Sequence, residues 1–393
     1  MVQTIDRRRF LKLGAASAGL SIGCGARGPE PRRDSAPRAM RYRQLGGTGL
    51  EVSEISFGAH GIDNPVLMSA AMEAGVNTFC TSGHYLDGRE EMATGEALAK
   101  AGISRDRIVI LTGNPVRAND TVDSVLADID ASLRRLGTDS IDVYYNAMVQ
   151  SLDDVLADQL FEAIHRARQA GKVRHLGLSS HHGGMQAWLE AGIECGLYDV
   201  FFIKYDFVSY PDQDEILRRA ANRGIGTIVF KTNAGNRKHE IKDLEAGGLS
   251  FEQATWKWAL TNPSVSSVSV TLLNFNQIQS CLEAVGSSLD EREVAMLHHY
   301  GREMYNRYCR FCTTCEGSCP QKVPVADIMR YEMYFTGYGR EKEAMRLYGE
   351  LPESSTAAAC DGCPGTCDSA CPFGREVRAG LIEAHRRLDF RRA

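Results

Sequence analysis

No run of about 18 apolar residues occurs in the 393-residue chain, so no transmembrane helix is expected. A cationic surplus is missing as well: the formal net charge is −5. Residues 1–38 hold eight Lys/Arg against three Asp/Glu, and the rest holds 37 against 47, a deficit of ten. Phosphate backbones attract the opposite sign, so nucleic acid is excluded as a partner class. Cysteine is too sparse for a disulfide scaffold, at 12 in 393 residues. Also missing is a Gly-x-Gly-x-x-Gly turn after an early strand, which a doubly wound dinucleotide-binding sheet would want.

What is present is an ordinary globular mixture, 43% hydrophobic and 24% charged, which excludes disordered, collagen-like and coiled-coil classes. The chain opens with Arg7-Arg8-Arg9-Phe10-Leu11-Lys12, then a weakly apolar stretch from Leu13 to Gly23. A basic segment before a short apolar one is an export leader. This one resembles the twin-arginine motif, which implies the twin-arginine translocase as a partner, export of an already folded protein, and a periplasmic or otherwise extracytoplasmic location. Leu20 to Cys24 is similar to a lipobox, with Ser21 where its leucine would stand. Cys24 is therefore either a lipid anchor or a plain small residue of the leader. Residues 1–24 are read as the leader and 25–40 as a linker.

From residue 54 to 272, short apolar runs alternate with helical stretches. The expected strands are Glu54–His60, Thr78–Ser82, Ile108–Gly113, Asp142–Ala147, His175–Ser180, Val200–Tyr205, Gly226–Lys231 and Ser264–Thr271. The expected helices between them include Thr121–Leu136, Asp153–Ala170 and Asp212–Asn222. Strands too apolar to be half-exposed imply a parallel sheet covered by helices. Eight such units make a (β/α)8 TIM barrel, an α/β fold, over residues 41–289.

Residues 42–58, 75–85, 107–113, 142–147 and 173–180 resemble, in order and spacing, the aldo-keto reductase family. The resemblance implies a catalytic Asp, Tyr, Lys and His. Only the tyrosine is kept, as Tyr85; Cys80, Gly113 and Ala147 stand where the Asp, Lys and His belong. A phenol near pKa 10 is a poor proton donor at neutral pH without a neighbouring ammonium. Tyr85 is thus either catalytic or a packing tyrosine. Ser179, Ser180 and Phe230 stand where a nicotinamide would be held, if one binds. The stretch Thr271-Leu272-Leu273-Asn274 carries no cation for a 2′-phosphate, which argues against NADP(H). His84 and Lys231 lie at strand ends on the functional face of such a barrel and are further candidates for catalysis. Lys231-Thr-Asn-Ala-Gly235 is similar to a segment of cluster-containing relatives.

Eight cysteines fall in two runs. Cys309-x2-Cys312-x2-Cys315-x3-Cys319-Pro320 has the spacing of a [4Fe-4S] run, and Cys360-x2-Cys363-x3-Cys367-x3-Cys371-Pro372 is a second run with one residue inserted. In two-cluster ferredoxins the fourth cysteine of each run serves the other cluster. One cluster is therefore assigned to Cys309, Cys312, Cys315 and Cys371, the other to Cys360, Cys363, Cys367 and Cys319. An all-cysteine zinc site and disulfides are the competing readings. Helical patterns at Asp290–Tyr308, Val325–Phe335, Glu341–Leu351 and Gly374–Leu388 make residues 290–393 a small α-helical region resembling a ferredoxin-type domain. The whole chain resembles exported oxidoreductase-like proteins that join an aldo-keto reductase barrel to such a domain.

Two functions follow. In one, the clusters pass electrons between a redox partner protein and a small-molecule substrate at the barrel mouth. In the other, the barrel is a non-catalytic scaffold in an electron-transfer or docking module.

Overall fold

The computed structural model describes residues 39–181, 184–209 and 212–390. The segment read as a leader, with Arg7, Arg8 and Cys24, lies outside the described residues, as does His182.

Two three-residue strands, β1 (Tyr42–Gln44) and β2 (Glu51–Ser53), form an antiparallel hairpin that the sequence patterns did not announce. Eight parallel strands then close into a barrel. They are β3 (Ile55–Gly58), β4 (Thr78–Cys80), β5 (Val109–Thr112), β6 (Ile141–Asn146), β7 (Val173–Ser180), β8 (Val200–Lys204), β9 (Gly226–Phe230) and β10 (Ser267–Val270). All eight expected strands are present, most of them shorter than the apolar runs that signal them.

The barrel helices are α1 (Pro65–Glu73), α2 (Arg89–Ala101), α3 (Val122–Leu136), α4 (Leu152–Val155), α5 (Asp158–Gln169), α6 (Met185–Cys195), α7 (Asp212–Asn222), α8 (Phe251–Leu260) and α9 (Phe275–Ala284). The single helix expected over Asp153–Ala170 is two, α4 and α5, because Ala157 adopts an extended backbone before the second. Local chemistry fixes several starts. Thr121 and Ser124 form a reciprocal cap on α3, and Ser250 caps α8.

The barrel interior is filled by alternate strand residues, among them Cys80, Leu111, Val143, Tyr145, Val200, Phe202 and Ile228. Leu45 and Val52 join this cluster from the hairpin side. Gly46 makes the approach possible: it has φ +56°, and a Cβ there would stand 2.3 Å from the Gly226 nitrogen. Gly226 opens β9, so the hairpin covers the end of the barrel where the strands begin.

The other end is covered too. The C-terminal helices are α10 (Glu291–Met304), α11 (Val325–Thr336), α12 (Glu341–Gly349), α13 (Thr366–Ala370) and α14 (Val377–Leu388). The helix expected to run from Asp290 to Tyr308 stops at Met304. Tyr300 of α10 donates to the Ala234 carbonyl at 2.9 Å and accepts the Arg237 N–H at 3.0 Å. Tyr338 donates to Asn233 at 2.8 Å, and Asn236 donates to the Gly337 carbonyl at 3.1 Å. The turn between α11 and α12 is thereby fastened to the loop after β9, over the strands' C-terminal ends. Among the described residues no helix is long and apolar enough to cross a membrane.

Candidate functional site

The mouth is built from strand ends and from the C-terminal helices. Tyr85 opens a short turn after β4, with its ring edge-on to His60 at 4.3 Å and to His84 at 4.5 Å. Burial, then Glu90, pushes its phenol well above the ordinary tyrosine range. His84 holds Ser82 Oγ at 2.7 Å through Nδ1. The residue is exposed as a whole, yet burial of the imidazole, then Arg117, lowers it to about 4. His60 Nε2 meets Glu343 of α12 at 3.2 Å, and Arg340 donates to the His60 carbonyl at 3.1 Å. Glu90 accepts the Gly61 N–H at 2.5 Å, and burial raises its carboxyl to about 8.

Lys231 follows β9 with φ +56°, an unusual backbone for a lysine. Its Nζ donates to the Tyr334 hydroxyl at 2.9 Å and lies 4.8 Å from that ring's centre. Burial, then Arg330 and Lys204, lowers the amine well below the usual lysine range. Tyr334 also bears on the Tyr85 phenol, so it links the two candidates. Tyr334, Glu343, Arg340 and Glu90 carried no local sequence signal. Tyr334 stands 103 positions from Lys231, and only the fold joins them.

The positions of the family's other catalytic residues are closed. Cys80 is buried in the barrel interior against Ser56, and burial pushes its thiol up to about 12. A Cβ at Gly113 would lie 1.8 Å from the Tyr145 carbonyl oxygen. The backbone of β6 thus occupies the space where a lysine stem would start. Ala147 is buried and donates its N–H to the Asn114 carbonyl at 3.0 Å. Ser179 and Ser180 are buried at the end of β7, and Ser180 Oγ donates to the Val149 carbonyl at 3.2 Å. Phe230 packs edge-on against Phe202 at 4.7 Å. Asn274, in the stretch without a cation, caps α9 by accepting the Gln277 N–H at 3.1 Å.

The cysteines form two groups. Cys309, Cys312, Cys315 and Cys371 line one small cavity of about 20 Å³, together with Tyr308, Arg310, Phe373 and Arg375. Burial pushes the Cys309 thiol up to about 11, and Cys312 and Cys371 add to the effect. In the second group, burial, then Cys319, Cys367 and Cys363, pushes Cys360 up to about 11. None of these eight cysteines is in a disulfide. Among the described residues, no three or more His, Cys, Asp or Glu side chains converge as ligands of a single metal ion.

The first cavity adjoins the barrel. Tyr308 lines it and points its hydroxyl at Asp206, 3.5 Å away. Asp206 pairs with Lys204, the last residue of β8, at 2.7 Å, and Lys204 Nζ lies 5.3 Å from the Tyr308 ring centre.

The Aldo/keto reductase family profile matches residues 63–245. The chain is 31% identical to the versiconal hemiacetal acetate reductase of Aspergillus parasiticus over 340 residues, covering 66% of this chain and 96% of that protein. It is 28% identical to the aldo-keto reductase AFTS1 of Alternaria alternata, covering 51% of this chain and 67% of that one. Among solved structures, a holo aldo-keto reductase of Bacillus halodurans superposes with a TM-score of 0.55 at 22% identity, covering 66% of this chain and 96% of that one. A closed eight-strand parallel barrel, a match of this extent and strand order agree with one another: the chain belongs to the aldo/keto reductase family.

Proposed function

We propose that the protein is an exported iron–sulfur oxidoreductase in which two [4Fe-4S] clusters pass electrons between a partner and the barrel mouth. The observation that carries this reading is the grouping of the cysteines. Cys371 of the second run faces the cavity of Cys309, Cys312 and Cys315, and Cys319 of the first run neighbours Cys360 and Cys367. Crossing of this kind is what paired ferredoxin runs require. The donor set fits such a group: four thiols around one cavity, with two guanidinium groups beside them to face an anionic occupant. Cys309, Cys312, Cys315 and Cys371 would hold one cluster, and Cys360, Cys363, Cys367 and Cys319 the other. Bound there, the clusters supply one-electron transfer.

The chain's own residues do the rest at the mouth. Lys231 and Tyr334 present an amine–phenol pair, and His60 with Glu343 presents a second polar pair. Both can orient a small polar substrate and exchange protons with it. Hydride transfer from NADP(H) is not part of this reading, because Gly113 and Ala147 leave Tyr85 without its helpers. A second reading, a docking module, is favoured by one observation: Tyr334, Tyr338 and Glu343 reach across the mouth from the C-terminal helices.

Protein purified anaerobically should contain about eight irons and eight labile sulfides per chain. About one zinc with no sulfide would overturn the assignment. Export is tested separately. Changing Arg7 and Arg8 to Lys should strand folded, iron-loaded protein in the cytoplasm of a producing cell, and the same export as the parent would remove the leader from the proposal.

A further inference from the structure

The two cysteine groups sit in different fields. Arg310 and Arg375 both line the first cavity. Arg310 lies over Phe373, 3.7 Å from its ring centre, and over Tyr305 at 4.7 Å. Arg375 donates through Nη2 to the Met329 sulfur at 3.3 Å. The Nε of each is buried without a hydrogen-bond partner among the described residues. A buried, poorly partnered cation is costly, and an anion beside it offsets that cost. Lys204 adds a third cation behind the Tyr308 and Phe311 rings, although Asp206 balances it.

Two guanidinium groups at the first cavity stand against one carboxylate, Glu316, which accepts the N–H of Ala326 in its wall; the second group has no such excess. Arg378 donates to the Cys360 carbonyl at 3.1 Å, and its own backbone N–H is held by Asp368 at 2.8 Å. Asp368 and Arg378, joined in this way, bring one charge of each sign to this group.

On the two-cluster reading, each centre becomes more negative by one charge when reduced. Net charge and hydrogen bonds around the sulfurs set its potential. We propose that Arg310 and Arg375 hold the first centre at a higher reduction potential than the second, so that electrons settle at the cavity next to the barrel. An electron from a low-potential one-electron donor would enter the second centre. That centre is reoxidised as the first is reduced, with no bond or proton moving. The first centre, beside Tyr308 and the end of β8, is then the one that serves the mouth.

The test is a redox titration of the anaerobic holoprotein followed by electron paramagnetic resonance. Two midpoints are expected in the parent protein. Arg375→Gln should lower the upper one by about 59 mV or more, a tenfold change in a one-electron equilibrium. It should leave the lower midpoint in place, and Arg375→Lys should recover most of the shift. Should Arg375→Gln fail to retain iron, Arg310→Gln carries the same expectation. A single midpoint in the parent, a shift of the lower midpoint, or no shift in the iron-loaded variants would overturn the proposal. Parent protein without labile sulfide would instead overturn the two-cluster reading beneath it.

Discussion

A single methyl group at Gly113 should lower the melting temperature by about 3 °C. The added Cβ would lie 1.8 Å from the Tyr145 carbonyl oxygen, and the Tyr145 nitrogen is 3.0 Å away. The obstacle is the backbone of the neighbouring strand, which cannot turn aside as a flexible side chain can. Overpacking of this kind costs about 3 kcal/mol. The gain from a less flexible unfolded chain is only about 0.4–1 kcal/mol, so the clash wins. The unfolding entropy is about 2 cal/mol/K per residue, so in a chain of 393 residues a net loss of about 2–2.6 kcal/mol lowers the melting temperature by about 3 °C. A Gly113→Ala melt within about 0.5 °C of the parent would show that β5 and β6 part easily. The same geometry governs catalysis. Gly113→Lys should not restore aldehyde-dependent NADPH oxidation, and the parent should show none, since positioned acid catalysis is worth about 10²–10⁴-fold. Parent turnover on the order of one per second would mean that Lys231 or His84 has rebuilt the site.

The second large effect concerns crossed ligation. If Cys371 serves the first site, the double variant Cys309→Ser/Cys371→Ser damages one site twice and should keep about four irons. Cys309→Ser/Cys319→Ser damages both sites and should keep almost none. Ligation within each run predicts the reverse pattern. The comparison is non-additive by design, because residues of one site fail together and residues of two sites fail separately. Iron per chain, measured on both proteins, decides between the two arrangements.

The barrel was legible because its information is local. Each strand is an apolar run bounded by polar residues, and each major helix has the 3.6-residue period. The hairpin was missed since three-residue strands leave almost no pattern; the Gly46-Gly47-Thr48-Gly49 stretch was its one usable signal. The cysteine runs were legible for another reason, as thiols at fixed short spacing have few alternative uses. The mouth was only half legible. Tyr85, His84 and Lys231 could be placed at strand ends. Tyr334 and Glu343 come from helices far along the chain, and their periodicity reads as ordinary packing. Nor does the sequence reveal that Tyr145 closes the space at Gly113, because that depends on how closely two strands approach. Arg310 and Arg375 look like solvated charges until the cavity beside them is seen.

The make-up of the first cavity sets an order of events during synthesis. Every barrel strand has been synthesised once residue 270 is made, with more than a hundred residues still to follow, so the barrel can close while the ribosome is still at work. Three of the cavity's cysteines arrive by residue 315, but the fourth is Cys371, more than fifty residues later. The wall of this cavity is therefore finished late, after the barrel and after α11 and α12 have been delivered to cover its mouth. A chain stopped between those points would present a closed barrel and an unfinished cysteine pocket, a state that quality control could recognise by its unclaimed thiols.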